Sequence, residues 1–520
     1  MTDPVSVWRA AVAARPGDAA MQVGLALALG RAGQWQEAET SLRVAIGLDP
    51  MHVEAHSHLA QALAAQGRID AALAQYRDAL RLTPEQPELL AQYGTALMCA
   101  ERPAEAEAAY RAALRQRPDH AAALNNLGNA LMVLNRPDEA LAQYKLAHAV
   151  VPQSWGTQNN VASALLALQR PAEAEAWLRR VLEALPDYAE AANNLGGALL
   201  AQDRLEEAAA WFEHAIGLAP QLRQAMFGLA MARLGLGAFA AGWEAYESRW
   251  DDPGFAAEHG ASDLPRWLGQ KISGQRILLT AEQGHGDTIQ FARYAPLLTE
   301  LGAIPVLAVQ SNLMDLLRPW AAEVVPLGEQ AGCAVHCPLL SLPHRFGTTL
   351  ANIPQARLAA DPALVARWQA RLGPARRRRI GLVISGDPTH SDDAQRSLPA
   401  ALIGPILTQD AEFHLLQPAI READRVYLAD VTPHTDALTD FSQTAALASL
   451  MDVVISVDTA GAHLAASLGR PTRVLLPHAA DWRWLRGRDD TPWYPSARLF
   501  RQTAPGDWAG VVARLTASLA

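Results

Sequence analysis

Lysine is almost absent from this chain. Only Lys145 and Lys271 occur in 520 residues, so nearly all positive charge is arginine. A cationic clamp on a phosphate must therefore use Arg, His or backbone N–H groups. Cysteine is scarce too. Cys99, Cys333 and Cys337 cannot make a disulfide framework, and they suit a reducing compartment. Cys333, His336 and Cys337 lie close together, but structural zinc needs four ligands and no second Cys/His pair is near, so no metal is expected. No apolar run reaches the roughly 18 residues that a membrane span needs. The start, MTDPVSVWRAAVAARP, lacks a basic segment followed by a long apolar run, so no signal peptide is read there. Net charge is −10, which argues against nucleic acid as a main ligand. With half of its residues apolar and 19% charged, the chain reads as a folded cytoplasmic protein of several domains.

What is present is a period. Proline recurs every 34 residues at Pro16, Pro50, Pro84, Pro118, Pro152, Pro186 and Pro220. Alanine falls twelve residues before the later six, at Ala38, Ala72, Ala106, Ala140, Ala174 and Ala208. Small residues also stand twenty-four before them, at Ala26, Ala60, Gly94, Gly128, Ala162 and Gly196. Small side chains let two helices of a unit approach, and proline stops the second. Such a period marks a helical solenoid whose units bury their apolar faces only by stacking. The pattern resembles the tetratricopeptide repeat. It gives a lone helix at 4–16, six full repeats over 17–220 and a divergent seventh at 221–253, which ends in the aromatic segment GAFAAGWEAYESRW.

Asn126, Asn160 and Asn194 share one slot in successive units, and Gln92 and His58 fill it in the two units before. The resemblance puts this slot on the helix that lines the groove, as in the asparagine ladder of O-GlcNAc transferases. An amide both donates and accepts, so it can grip a peptide backbone of any sequence. Alternatively it only bonds local backbone.

After a connector at 254–274 the pattern changes to short β-rich runs between helices. Strands are expected at Arg276–Ala281, Val306–Val309, Glu323–Pro326, Ile380–Ser385, Glu412–Gln417, Val453–Asp458 and Thr472–Leu476. They divide into two Rossmann-like lobes, 275–374 and 375–520, with a cleft between them. The run Arg376–Arg379 reads as a solvated linker. Two glycine-bearing turns each lead from a strand into a helix, EQGHGD (Glu282–Asp287) and DTAGAH (Asp458–His463). That geometry can hold an anion on helix N–H groups.

DTAGAHLAASLGRPTRVLLP (Asp458–Pro477) resembles the donor-binding motif of GT-B glycosyltransferases, especially heptosyltransferase-like ones. GHGD (Gly284–Asp287) resembles their N-lobe signature. GLVISGDPTHSDDAQRSLP (Gly381–Pro399) and DWRWLRGRDDTPWYP (Asp481–Pro495) are similar to bacterial proteins that join tetratricopeptide repeats to such a domain, several of which modify flagellin. The implied fold is a helical superhelix followed by an α/β GT-B domain. The implied activity is inverting, metal-independent transfer of a sugar from a nucleotide-activated co-substrate to Ser or Thr of a polypeptide, with no further cofactor.

By the resemblance, Asp287 is the general base, with His285 a second candidate, and His463 contacts the donor phosphate. Thr459, Asp458 and Gly461 lie in the same donor loop. Each also has a plainer reading, as a helix cap or a helix-start residue without ligand. Arg396 and His390 are candidate phosphate cations or surface charge. Related enzymes often place a lysine after the next strand, where this chain has Gln417, Pro418 and Arg421. Trp482, Trp484 and Trp493 flank a nucleotide base or close an aromatic core. Two rival functions stay open: transfer to a lipopolysaccharide or other glycan, and a scaffold whose transferase lobes have decayed. Removing residues 1–250 is expected to spare transfer to a small acceptor and abolish transfer to a protein.

Overall fold

The computed structural model describes residues 3–259, 262–355, 357–389 and 392–519. Fifteen helices come first. The helix Pro4–Ala14 precedes the pairs Ala19–Arg31 with Trp35–Leu48, Val53–Ala65 with Ile69–Leu82, and Pro87–Cys99 with Pro103–Gln116. Next come Ala121–Val133 with Pro137–Val150, Trp155–Ala167 with Pro171–Ala184, Ala189–Leu200 with Leu205–Leu218, and Arg223–Gly235 with Phe239–Tyr246.

In the first six pairs the second helix stops where the next residue but one, a proline, is forbidden to continue it. The residue before each proline is extended, with φ/ψ of −139°/94° at Asp49, −138°/80° at Thr83 and −138°/93° at Arg117. Proline imposes that conformation on its predecessor. The turn inside each pair carries a second period. Gly33, Gly67, Glu101, Asn135, Gln169, Asp203 and Gly237 all have φ between 57° and 77°, again 34 residues apart. Glycine fills that left-handed position without strain, and the other four residues adopt it at a cost.

Small residues fit where aromatic rings need room. A methyl on Gly94 would lie 2.7 Å from the Tyr110 ring, and the equivalent ring over Gly128 is Tyr144. The alanine column at Ala38, Ala72, Ala106, Ala140 and Ala174 is fully buried.

Two parallel sheets follow. The first contains β1 (Arg276–Thr280), β2 (Ile304–Val309), β3 (Glu323–Pro326) and β4 (Val335–Pro338) in the order β3-β2-β1-β4. The second contains β5 (Arg378–Val383), β6 (Ala411–Leu415), β7 (Val453–Val457), β8 (Thr472–Leu476) and β9 (Ala497–Arg501) in the order β6-β5-β7-β8-β9. Strand order reverses beside β1 in the first sheet and between β5 and β7 in the second. Ligands of open parallel sheets bind at such switch points, beyond the carboxyl ends of the strands. Two details depart from the sequence reading. β5 begins inside the arginine run, with Arg379 buried and paired to Glu412 at 3.2 Å, so that run is a strand start and not a solvated linker. β4 and β9 were not anticipated.

The chain forms two compact units, residues 1–198 and 199–520. In the second, helical residues Leu234, Phe239, Trp243 and Tyr246 share one apolar core with Ile277, Leu279 and Phe291 of the first sheet's lobe. Leu476, Trp482 and Trp493 of the second sheet's lobe join the same core. Among the described residues no helix is long and apolar enough to cross a membrane.

Candidate functional site

Both glycine-bearing turns leave switch-point strands. β1 runs through Glu282–Gly284 into the helix His285–Phe291, and β7 runs through Asp458–Thr459 into the helix Ala460–Ser467. These two helices, one from each lobe, pack on each other. Gly286 sets how closely. A methyl there would lie 2.8 Å from His463 Cδ2 and 3.6 Å from Ala460 Cα. Gly461 plays the same part against the end of β5, where its methyl would meet Val383 at 2.9 Å. The motif glycines therefore serve close backbone approach.

Asp287, Asp458 and His463 are brought together around this contact. Asp287 forms an ion pair with Arg483, whose other nitrogen donates to Asp481 at 2.8 Å. The Arg483 guanidinium lies 4.4 Å over the Trp482 ring. Burial raises the Asp287 carboxyl above its ordinary value, and Arg483 works in the opposite sense. Burial, then repulsion from Asp481, pushes Asp458 up to about 6. His463 is buried, its ring stacked on Trp484 with centroids 5.2 Å apart and its Nδ1 2.8 Å from the Tyr494 hydroxyl. Burial, with Arg483 and Arg293 nearby, holds its pKa well below the ordinary histidine value. It is neutral at pH 7 and can offer a hydrogen bond but no charge.

Arg293 is a buried cation. It lies 4.7 Å from the Tyr494 ring and donates to the carbonyls of Gln290 at 2.7 Å and Trp493 at 2.8 Å. Thr459 occupies the N-cap position, yet its hydroxyl does not accept from the helix N–H groups and lies 3.4 Å from the Val457 carbonyl. The first turn of the helix is thus left without a side-chain cap, the condition that suits an anion.

Arg396 borders Gly386 and makes no ion pair among the described residues, and its Nε is buried without a partner. Arg421, in the stretch where related enzymes often place a lysine, is not equivalent to a free cation. Its Nη2 donates to Asp393 at 2.5 Å and to Ser397 at 3.2 Å. His390 lies outside the described residues.

Three other candidate sets have their surroundings fixed by packing. Gln417 accepts from Ile384 N–H at 2.9 Å and donates to Ser385 at 3.0 Å and to the Ala419 carbonyl at 2.8 Å. Its amide shapes the loop, and with both N–H groups engaged it has no hydrogen left to donate to a phosphate. His285 Nε2 lies 3.0 Å from Asn312 Oδ1 and the ring stacks on Phe441, an arrangement that fixes the ring and leaves Nδ1 as its unprotonated nitrogen, so the side chain stays a second base candidate. Trp482, Trp484 and Trp493 are buried, which makes them core closure. Arg483, Arg293 and Tyr494 are site residues that sequence reasoning did not single out. Only their tertiary partners distinguish them.

The amide slot does form a ladder in the first unit, but its donors face along the solenoid. Asn160 Nδ2 donates to Asn125 at 3.1 Å and Asn129 at 3.3 Å. Asn194 donates to Asn159 at 2.9 Å and Ser163 at 3.1 Å, and Asn126 to Thr95 at 3.4 Å. Gln92 accepts from Ser57 at 2.8 Å, and His58 Nδ1 lies 3.1 Å from Gln61 Oε1. A 34-residue period places each slot beside the residues 31 and 35 earlier, so the amides clip each repeat to the one before. All five slot residues remain partly exposed.

Known proteins share these features. Tetratricopeptide-repeat profiles match residues 23–87, 94–154 and 156–221. The profile of glycosyltransferase family 9 (heptosyltransferase) matches residues 421–476. Protein FlbA of Caulobacter vibrioides (strain ATCC 19089 / CIP 103742 / CB 15) is 30% identical over 332 residues, 57% of this chain and 55% of FlbA. The chain thus spans about half the length of that relative. Among solved structures, the APC/C hetero-tetramer Cut9–Hcn1 superposes with a TM-score of 0.40 at 18% identity, covering 44% of this chain and 45% of that one. YrrB, a TPR protein with an unusual peptide-binding site, gives 0.28 at 19% identity, covering 43% and 97%.

Proposed function

We propose that this chain, which carries tetratricopeptide repeats followed by a glycosyltransferase family 9 segment, is a protein O-glycosyltransferase. The solenoid binds a polypeptide acceptor through its partly exposed amide ladder. The second sheet's lobe binds a nucleotide-activated sugar. The observation that carries the reading is the meeting, at two switch points, of a carboxylate (Asp287) with an uncapped helix start (Thr459–His463). One supplies a base and the other an anion seat.

In the proposed step the Ser or Thr oxygen attacks the anomeric carbon while the bond to the donor phosphate breaks. The hydroxyl proton passes to Asp287, whose pKa burial raises toward useful basicity. The departing phosphate is held by N–H groups of the Ala460–Ser467 helix, the neutral His463 and Arg396, without calling on a metal ion. Attack opposite the leaving group inverts the anomeric centre. The protein works in the cytoplasm, where activated sugars and unmodified clients coexist.

The test is intact mass spectrometry of client proteins, flagellin first, from cells carrying the wild-type chain, Asp287→Asn or His463→Ala. A sugar-sized mass present only with the wild type supports transfer. Equal client masses in all strains, with client binding retained, point to the second reading, a scaffold. That reading has one observation in its favour: the basic residue after β6, Arg421, is spent on Asp393.

A further inference from the structure

The last helical unit reaches directly into the segments that carry the site. After the helix Phe239–Tyr246 a short 3-10 turn brings Arg249 against Glu282, which opens the EQGHGD turn. The pair is buried and bidentate, Nε to Oε2 at 2.9 Å and Nη2 to Oε1 at 3.0 Å. Glu282 Oε1 also accepts from Leu340 N–H at 2.9 Å, and Arg249 donates to Ser341 at 2.9 Å. The next residue, Gln283, donates to the Tyr246 hydroxyl at 2.9 Å. Trp243 meets Phe291 edge-on at 6.0 Å and Trp482 at 5.1 Å, touching the Asp287 helix at one end and Arg483's neighbour at the other.

A buried ion pair is often no more stabilising than an apolar pair of the same shape. A bidentate guanidinium–carboxylate pair does, however, fix a plane and a direction. Glu282 and Gln283 are both held by their side chains just before Gly284 and Gly286, which add little stiffness of their own. We propose that Tyr246 and Arg249 are positioning residues: they set the path of the Glu282–Asp287 turn and so place the Asp287 carboxylate for proton transfer. The proposal rests on the transferase reading above. It makes the end of the solenoid part of the catalytic centre. Removing residues 1–250 therefore abolishes transfer to every acceptor, contrary to the sequence-based expectation that transfer to a small acceptor is spared.

The test uses the full chain and the variants Tyr246→Phe and Arg249→Lys, the second keeping charge without the bidentate fork. Unmodified flagellin from a strain lacking the protein is the acceptor, and a soluble extract of that strain supplies the donor. Transfer is followed by intact mass from pH 5 to 9, and hydrogen exchange is read over residues 282–291. The expected result is a rate loss of about tenfold or more, as misplacement of reacting groups produces. It comes with a displaced acid limb of the pH profile and faster exchange confined to that segment, with both variants still folded at the assay temperature. A wild-type rate and pH profile in both variants overturns the proposal. So does a rate loss that comes only with faster exchange throughout residues 199–520, because the role is then merely structural. A wild-type chain that adds no mass is a different failure: it removes the transferase reading, and the positioning role with it.

Discussion

Replacing Gly286 by alanine tests the contact on which the site depends. The added methyl would sit 2.8 Å from His463 Cδ2, against the roughly 3.5 Å at which carbon atoms rest. The imidazole or the helix must yield by about 0.7 Å. The ring has no easy retreat, because Trp484 stacks on it at 5.2 Å and Tyr494 holds Nδ1 at 2.8 Å. Overpacking of this kind costs about 1–3 kcal/mol. For a unit of this size that lowers the melting temperature by roughly 1–4 °C. The functional loss is larger, since the strain falls on Asp287's helix and on His463 together. Differential scanning calorimetry and the client mass assay read the two effects. A variant that melts like the wild type and still modifies its client would refute the argument, because the two helix starts could not then be this close in the working protein.

Other consequences can be checked as directly. Glu101→Gly relieves a left-handed residue at φ 57° in a turn where Gly33 and Gly67 stand in earlier repeats, and stabilises the first unit by about 0.5–1 kcal/mol, seen as a raised melting temperature. Asn160→Ala removes two donors to the preceding repeat and destabilises that unit by about 1–2 kcal/mol, while weakening client capture by pull-down. Burial, then the neighbouring His414, depresses His434 to about 4, and His414 and His463 are also lowered. Their folded pKa values lie below the unfolded ones, so the unfolded chain binds more protons between about pH 6.5 and 4. Stability is full above pH 6.5 and falls as pH drops through that window, and thermal melts at stepped pH should show a flatter fall for His434→Gln. Arg396→Ala is expected to slow transfer with only a small change in melting temperature, because this arginine makes no direct ion pair among the described residues and interacts with Asp458 only at longer range.

How far the sequence could be read depended on whether a residue's role is local. Proline acts on its own neighbour, so the 34-residue period marked the end of the second helix in the first six pairs. The left-handed turn has the same period but was hidden, because Glu101, Asn135, Gln169 and Asp203 occupy four of its seven positions and only glycine announces such a turn. The strand-turn-helix motifs around GHGD and DTAGAH were legible for the same local reason, and so was the parallel character of the sheets. The ladder shows the limit. Its spacing was plain, yet which way its donors point depends on the residues 31 and 35 positions back, and these became neighbours only through stacking. Arg483 is the extreme case. It sits 196 residues from Asp287, its charge is one among many arginines, and only the apposition of two lobes makes it that aspartate's partner. The same logic explains Gln417, which looked available in sequence and is consumed by its own loop. A polar side chain in a motif is a candidate ligand group only after its neighbours have taken their share of its hydrogen bonds. By that measure His463, His285, Arg396 and the uncapped turn at Thr459 keep hydrogen-bonding capacity for a ligand, whereas the N–H groups of Gln417 do not.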